Sequence, residues 1–226
     1  MEDAKLTRRG SLAGMAGLLL GLAGWKAADS DGAGPAGVAS GAVSCVLTPE
    51  QTEGPYYIAG EKYRRNITDG RPGVPLSLRL RVVDASTCKP IAGAAVDIWH
   101  ADALGVYSGF GSGATSRTFM RGIQKTDANG LAIFKTIYPG WYQGRATHIH
   151  VKVHISGNVV HTGQFFFNEA VNRAVYQRAP YSTRGNPDTT NASDSIYRNG
   201  GSRSILKVQR VGSGYRGAIT MGVSAS

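Results

Sequence analysis

Acidic side chains are scarce in this chain of 226 residues: 15 Asp and Glu stand against 25 Lys and Arg, for a formal charge of +10. The excess is scattered, and no nucleic-acid-binding motif accompanies it. A nucleic-acid partner is therefore not expected, and the charge implies only a modest affinity for anionic material such as acidic aromatics or cell-wall polymers. Long apolar runs are also missing. The Gly-, Ala- and Leu-rich run Ser11–Gly24 holds 14 residues, short of the roughly 20 that span a bilayer, so no stable membrane anchor is expected. Cysteine is limited to Cys45 and Cys88, which leaves room for one bridge. What is plentiful is apolar side chains, at 42%, and turn formers, with 31 Gly and 9 Pro. That is a globular composition with a β bias.

Lys5, Arg8 and Arg9 precede the apolar run, the layout of a secretory signal over residues 1–27. The stretch Thr7-Arg8-Arg9-Gly10-Ser11-Leu12 is similar to a twin-arginine signal, the route that exports proteins already folded around a cofactor. No cysteine ends the run, so a lipid anchor is not expected. Residues 28–44 are mostly Gly, Ala, Ser and Asp, with a single Pro and two Val, a composition that reads as a flexible linker. One domain, 45–226, is then expected outside the cytoplasm. Losing residues 1–27 removes Lys5, Arg8, Arg9 and Lys26 against Glu2 and Asp3, four cations and two anions, so the remainder stays basic. In an oxidising compartment Cys45 and Cys88 are expected to pair, the alternative being two buried thiols. A bridge over that span would stabilise by about 4 kcal/mol through chain entropy.

The domain reads as short strands between turn signals: 76–84, 94–99, 131–137, 147–155, 159–167, 205–211 and 216–223. Leu76, Leu78, Leu80 and Val82 alternate with Ser77, Arg79 and Arg81, the period of a strand with one buried face. Asp127-Ala128-Asn129-Gly130 supplies a turn. The only helical pattern spans 169–178, with Asn168 placed to cap it and Pro180 to stop it. Seven or more strands with one short helix and long loops make an all-β antiparallel sandwich the expected fold.

His148 and His150 are two residues apart in a strand pattern, so both imidazoles leave from one face and could share a metal. Ile149, Val151, Val153 and Ile155 claim the core face, which puts His148, His150, Lys152 and His154 on the other. The pair alone fits a polar, solvent-facing strand equally well. Tyr142, six residues before His148, and Tyr107 add two phenols. A phenolate is a hard oxygen donor that stabilises Fe(III), and two phenolates with two neutral imidazoles leave one positive charge on the ion. Tyrosine ionises near pH ~10, so only a strong Lewis acid would hold both as phenolates at neutral pH.

Taken together, Thr52-Glu53-Gly54-Pro55-Tyr56-Tyr57, the segment Trp99 to Tyr107, Pro139 to Tyr142, Arg145-Ala146-Thr147-His148-Ile149-His150 and Gln164 resemble the intradiol ring-cleavage dioxygenases, such as protocatechuate 3,4-dioxygenase and catechol 1,2-dioxygenase. The match runs in order from about Thr48 to Phe167. The resemblance implies one Fe(III) per chain held by Tyr107, Tyr142, His148 and His150. It also implies that Arg145 steadies negative charge on the substrate ring, that Gln164 hydrogen-bonds near the oxygen site, and that Gly54, Pro55 and Tyr56 line the substrate cleft. The substrate would be a catechol-type aromatic, cut between its hydroxylated carbons by O2 to a cis,cis-muconate-type product, with Tyr142 taking up a substrate proton. Family members are often dimers or larger, so a homo-oligomer fits the resemblance.

Two departures stand out. Ala146-Thr147 replaces the family's usual Pro-Ala before the histidine, and Gln143-Gly144 replaces the aromatic residue that follows the ligand tyrosine in protocatechuate enzymes. Both alter the pocket wall and bear on substrate identity more than on the reaction. The rival readings are weaker. Pro90 to Val96 and Thr126 to Gly130 also resemble transthyretin-like binding modules, but those lack the His-x-His. A zinc hydrolase would want a nearby carboxylate base, and tyrosines are poor zinc ligands. The sequons at Asn66 and Asn191 accompany a bacterial-looking leader and are read as chance, so a structural wall-bound protein has little support.

Overall fold

A computed structural model describes residues 45–111 and 113–225. The expected signal and linker, 1–27 and 28–44, lie outside the described residues. Eight strands follow in order: β1 Pro75–Asp84, β2 Ala95–Trp99, β3 Arg121–Lys125, β4 Leu131–Ile137, β5 His148–Ile155, β6 Asn158–Phe166, β7 Lys207–Val211 and β8 Gly214–Val223. They form two four-stranded sheets, ordered β4-β1-β8-β7 and β3-β2-β5-β6. The pairs are antiparallel except β1 with β8. The expected antiparallel sandwich is thus present, with one parallel pair inside it. That pair is allowed because the chain makes a long excursion through the other sheet before returning, and parallel neighbours need such a crossover.

Burial follows the alternation. Leu76, Leu78, Leu80 and Val82 of β1 face Val96, Ile98, Ile149, Val151, Val153 and Phe165 across one apolar core. Each such side chain contributes about 1.5–3 kcal/mol by leaving water. β4 spans the expected residues, and its leading turn is closed by the Asp127 carboxylate, which accepts from the backbone N–H of Asn129 and Leu131, both 2.9 Å. β3 was not anticipated. Arg121-Gly122-Ile123-Gln124-Lys125 has little β-branched content and no clean alternation, and it becomes a strand by pairing with β2.

The helix expected over 169–178 is shorter. α1, Glu169–Tyr176, begins where Asn168 Oδ1 accepts from Ala170 N at 2.8 Å and ends at the cap residue Gln177. It is not the only helix: α2, Ser195–Arg198, is a single turn capped by Asp194, and 3₁₀ turns occupy Tyr181–Arg184 and Gly201–Ser204. Cys45 and Cys88 are joined as a disulfide, tying the first described residue to the loop after β1. Among the described residues no helix is long and apolar enough to cross a membrane.

The decisive feature for function is the far face of the second sheet. Strand alternation places His148, His150 and Lys152 away from the core, yet both histidines are buried. The segment 49–57 lies over them. Gln51 N donates to Thr162 O at 2.9 Å, Gln164 Nε2 donates to Thr52 O at 2.9 Å, and Glu53 pairs with Lys152, whose ammonium sits 3.8 Å from the Tyr57 ring centroid. The face therefore is neither core nor solvent-facing. It is a second, polar interior roofed by loops.

Candidate metal centre

In-register pairing sets one row of side chains across the second sheet: Arg121 on β3, Trp99 on β2, His150 on β5 and Gln164 on β6. His148 stands one pleat along, opposite Phe166. Trp99 lies flat on the His150 ring, 4.9 Å between centroids with the planes 4° apart, which fixes that imidazole's plane. His148 is fixed through hydrogen bonding: its Nδ1 donates to Ala146 O at 2.6 Å, which leaves the Nε2 lone pair pointing inward.

The two phenols come from separate loops. Tyr107 is set by Asp102, whose Oδ1 accepts from Leu104 N at 2.9 Å and Val106 N at 3.0 Å while Oδ2 takes Arg71 Nε at 2.9 Å. On its other side Arg121 clamps the next residue, donating from Nη2 to Ser108 O at 2.7 Å and from Nε to Ser108 Oγ at 3.0 Å. Tyr142 follows Gly140, where a Cβ would stand 2.3 Å from Ala103 O. Only glycine permits that approach, and it brings the two tyrosine loops together.

The four expected donors converge. His148 Nε2 and His150 Nε2 are 3.0 Å apart, and His148 Nε2 lies 3.3 Å from the Tyr142 hydroxyl and 3.5 Å from that of Tyr107. Burial, aided by the Arg145 cation, pushes the His148 pKa down to about 3, and burial with the neighbouring His148 takes His150 well below the imidazole range. Burial likewise raises Tyr107 well above 10, with Tyr142 adding to it. Tyr142 is raised too, chiefly by burial, against which the Arg145 charge works. Left to themselves all four groups are neutral, so the imidazoles offer free lone pairs and the phenols need a cation to ionise. Among the described residues no group of three or more His, Cys, Asp or Glu gathers to hold a metal. Two imidazoles with two phenols form a harder, oxygen-rich set, suited to a trivalent ion such as Fe(III).

Arg145 reaches this cluster. Its Nη1 lies 3.5 Å from the Tyr142 hydroxyl and 3.4 Å from His148 Nε2, and its Nη2 donates to Gln164 Oε1 at 2.5 Å. Gln164 thus bridges Arg145 and the backbone of Thr52, and both ends of its amide are engaged. Of the expected cleft residues, Gly54 backs His150: it adopts φ +72°, and a Cβ there would meet His150 Cε1 at 3.2 Å. Tyr56 stacks on Tyr107 at 4.2 Å between centroids and meets Phe110 and Tyr142 edge-on. Pro55 is exposed and turned to solvent. The Cys45–Cys88 bridge belongs to the first sheet's rim and takes no part.

Sequence reasoning missed two residues at the site. Arg121, which clamps the Tyr107 loop, sits on the unanticipated strand β3. Asp194 is buried and accepts from Arg145 Nε at 2.9 Å and from Ala146 N at 2.8 Å. The only local signal was a helix-capping position before Ser195, which says nothing about a partner 49 residues away.

A Dioxygenase family model matches residues 52–170 of this chain, just over half of it. Catechol 1,2-dioxygenase 1 of Acinetobacter lwoffii is 38% identical over 101 residues, covering 42% of this chain and 32% of that protein. Catechol 1,2-dioxygenase of Acinetobacter baylyi is 33% identical over 161 residues, covering 61% of this chain and 51% of that one. The chain thus spans between a third and a half of the curated relatives it matches. Among solved structures, an intradiol ring-cleavage dioxygenase from Tetranychus urticae superposes with a TM-score of 0.77 at 36% identity, covering 80% of this chain and 97% of that one. The matched segment 52–170 contains Tyr107, Tyr142, Arg145, His148, His150 and Gln164; Asp194 falls outside it.

Proposed function

Because the chain belongs to the intradiol ring-cleavage dioxygenase family, we propose that it cleaves the ring of a catechol-type aromatic between the two hydroxylated carbons, giving a cis,cis-muconate-type product. One C–C bond breaks and each of its carbons gains one atom of O2, so the reaction balances without an external reductant. The observation that carries this reading is the convergence of His150 Nε2 and two phenol oxygens, those of Tyr142 and Tyr107, within 3.0–3.5 Å of His148 Nε2. Tyr107, Tyr142, His148 and His150 would hold the ion. Ferric iron, when bound, supplies Lewis acidity and the means of bringing the catecholate and O2 into reaction.

The surrounding residues divide the remaining work. Tyr107 is almost wholly buried, whereas Tyr142 is half-buried and lies beside the Arg145 cation. That asymmetry suits the Tyr142 oxygen to take up a proton from the incoming catechol, while Tyr107 would remain a fixed donor to the ion. Arg145 is placed to steady negative charge on the bound ring. Tyr56, Phe110 and Tyr142 form an aromatic wall that orients a flat ring and keeps water away. Action outside the cytoplasm, after twin-arginine export, is part of the same proposal and is supported by the leader at residues 1–27.

Oxygen uptake by the iron-loaded protein tests the reading, using catechol, hydroxyquinol, protocatechuate and a caffeoyl ester. The expected result is one O2 consumed per ring opened with at least one of them, and a muconate-type product carrying both labelled oxygen atoms. Iron-loaded protein that consumes no oxygen with any of the four would overturn it.

A further inference from the structure

We infer that Asp194 is a positioning residue for this reaction, holding Arg145 and the 142–148 loop in their working geometry from a segment outside the matched part of the chain. This rests on the function proposed for Arg145 above. Asp194 is buried to 1% exposure, and its two oxygens are divided between two tasks. Oδ1 accepts from Ile196 N at 2.7 Å and Tyr197 N at 3.0 Å, capping α2. Oδ2 faces the site and accepts from Arg145 Nε at 2.9 Å and from Ala146 N at 2.8 Å. Burial alone would raise its pKa, but the N–H groups of Tyr197 and Ala146 with the Arg145 charge outweigh that and hold the carboxyl below its ordinary value.

The division matters because a guanidinium presents a fixed fork of donors. With Nε tied to Asp194 and Nη2 to Gln164, the fork's remaining Nη1 is aimed at the Tyr142 oxygen and His148 Nε2. Free of Asp194, Arg145 could rotate about its long side chain, and its charge would no longer be held where the ring binds. Ala146 is the residue whose carbonyl orients His148, so the same carboxylate also steadies the loop carrying a metal donor. The segment is itself anchored. Asn191 Nδ2 donates to Phe167 O at 2.8 Å, Asn191 N donates to Glu169 Oε1 at 2.7 Å, and Asp188 Oδ1 accepts from Gly144 N at 3.1 Å. Residues 188–194 therefore lie along the loop from Gly144 to Ala146 and fasten it at the N–H groups of Gly144 and Ala146.

A double-mutant cycle between Asp194 and Arg145 in the iron-loaded full chain tests this. Asp194→Asn keeps an oxygen to cap α2 but turns an amide donor toward Arg145. Asp194→Ser is a second capping residue, too short to reach Arg145, and serves if the first fails to fold. Either variant should keep its iron and visible colour, with kcat falling about 10–100-fold and KM little changed. In an Arg145→Ala background the same substitution should cost less than about threefold more, because residues acting through one another are not additive. Wild-type kcat in both Asp194 variants, beside a slow Arg145→Ala, would overturn the inference and leave the role of Arg145 standing. An equal loss in both backgrounds would also overturn it, since Asp194 would then act independently of Arg145. Full turnover in Arg145→Ala would sink the role of Arg145 and this inference with it.

Discussion

The two sheets share one core but differ in what they do with their other face. On the first sheet that face carries exposed Lys135, Lys207, Gln209 and Arg216, ordinary solvated positions. On the second the corresponding positions are Asp97, Trp99, Arg121, His148, His150 and Gln164, all buried. Strand alternation is the same in both. The difference lies in the loops: 49–57, 101–111, 139–147 and 188–204 fold back over the second sheet and make an interior out of what would otherwise be surface. A sandwich of this kind has two insides, one apolar and stabilising, the other polar and reactive. Polar groups are costly to bury, and here the Trp99 ring holds His150, the Ala146 carbonyl His148, the Asp194 carboxylate Arg145 and the Thr52 carbonyl Gln164.

Substitutions can separate the two interiors. The largest effect is expected from His150→Ala or Tyr107→Phe in the polar one: each removes a proposed metal donor, so bound iron should fall to a small fraction and turnover by on the order of 10³-fold or more, as metal analysis and oxygen uptake would record. Retention of full iron by both would undo the assignment of donors. Leu80→Ala cuts the apolar interior instead. It should cost about 2–5 kcal/mol by denaturant unfolding, while the folded fraction still binds iron stoichiometrically; loss of iron at unchanged stability would mean that the two interiors are not separable.

The smallest effect is a dependence on pH. Asp97 is buried beside the site, and burial, opposed by a hydrogen bond from Tyr57, raises its pKa to about 7 from an ordinary 3.8. A carboxyl whose folded pKa is raised contributes its stability fully below the unfolded value and loses it as pH climbs through the folded one. Asp97→Asn should therefore melt progressively higher relative to the wild type as pH rises from about 4 to 8. A Tm difference that stays flat across that window would show that Asp97 is not held protonated.

Much of the apolar interior was legible in sequence because alternation reports it directly: β1 and β4 lie where Leu76 to Val82 and Leu131 to Ile137 place them. β3 was not legible, since its identity as a strand comes from pairing with β2 and not from its own residues. Of the polar interior, the proposed donors were visible as a spaced motif, His148 and His150 on one strand with Tyr142 just upstream. What holds them was not. Flat stacking by Trp99, the Arg121 clamp on Ser108 and the Asp194 anchor join positions 13 or more residues apart, and no local pattern encodes such contacts. The roof itself was also invisible, because alternation says which face leaves the core and nothing about what then covers it.

Tyr107, Tyr142, His148 and His150 are proposed to hold one ferric ion together. That proposal is tested most directly by measuring iron and the visible spectrum of the same purified sample, wild type against Tyr142→Phe and Arg145→Ala. The expected result is about one iron per chain and a red-brown tyrosinate-to-iron band in the wild type, a weakened and shifted band in Tyr142→Phe, and an unaltered iron content and colour in Arg145→Ala. A wild-type protein that stays colourless after incubation with iron, or a band indifferent to loss of the Tyr142 hydroxyl, would contradict it.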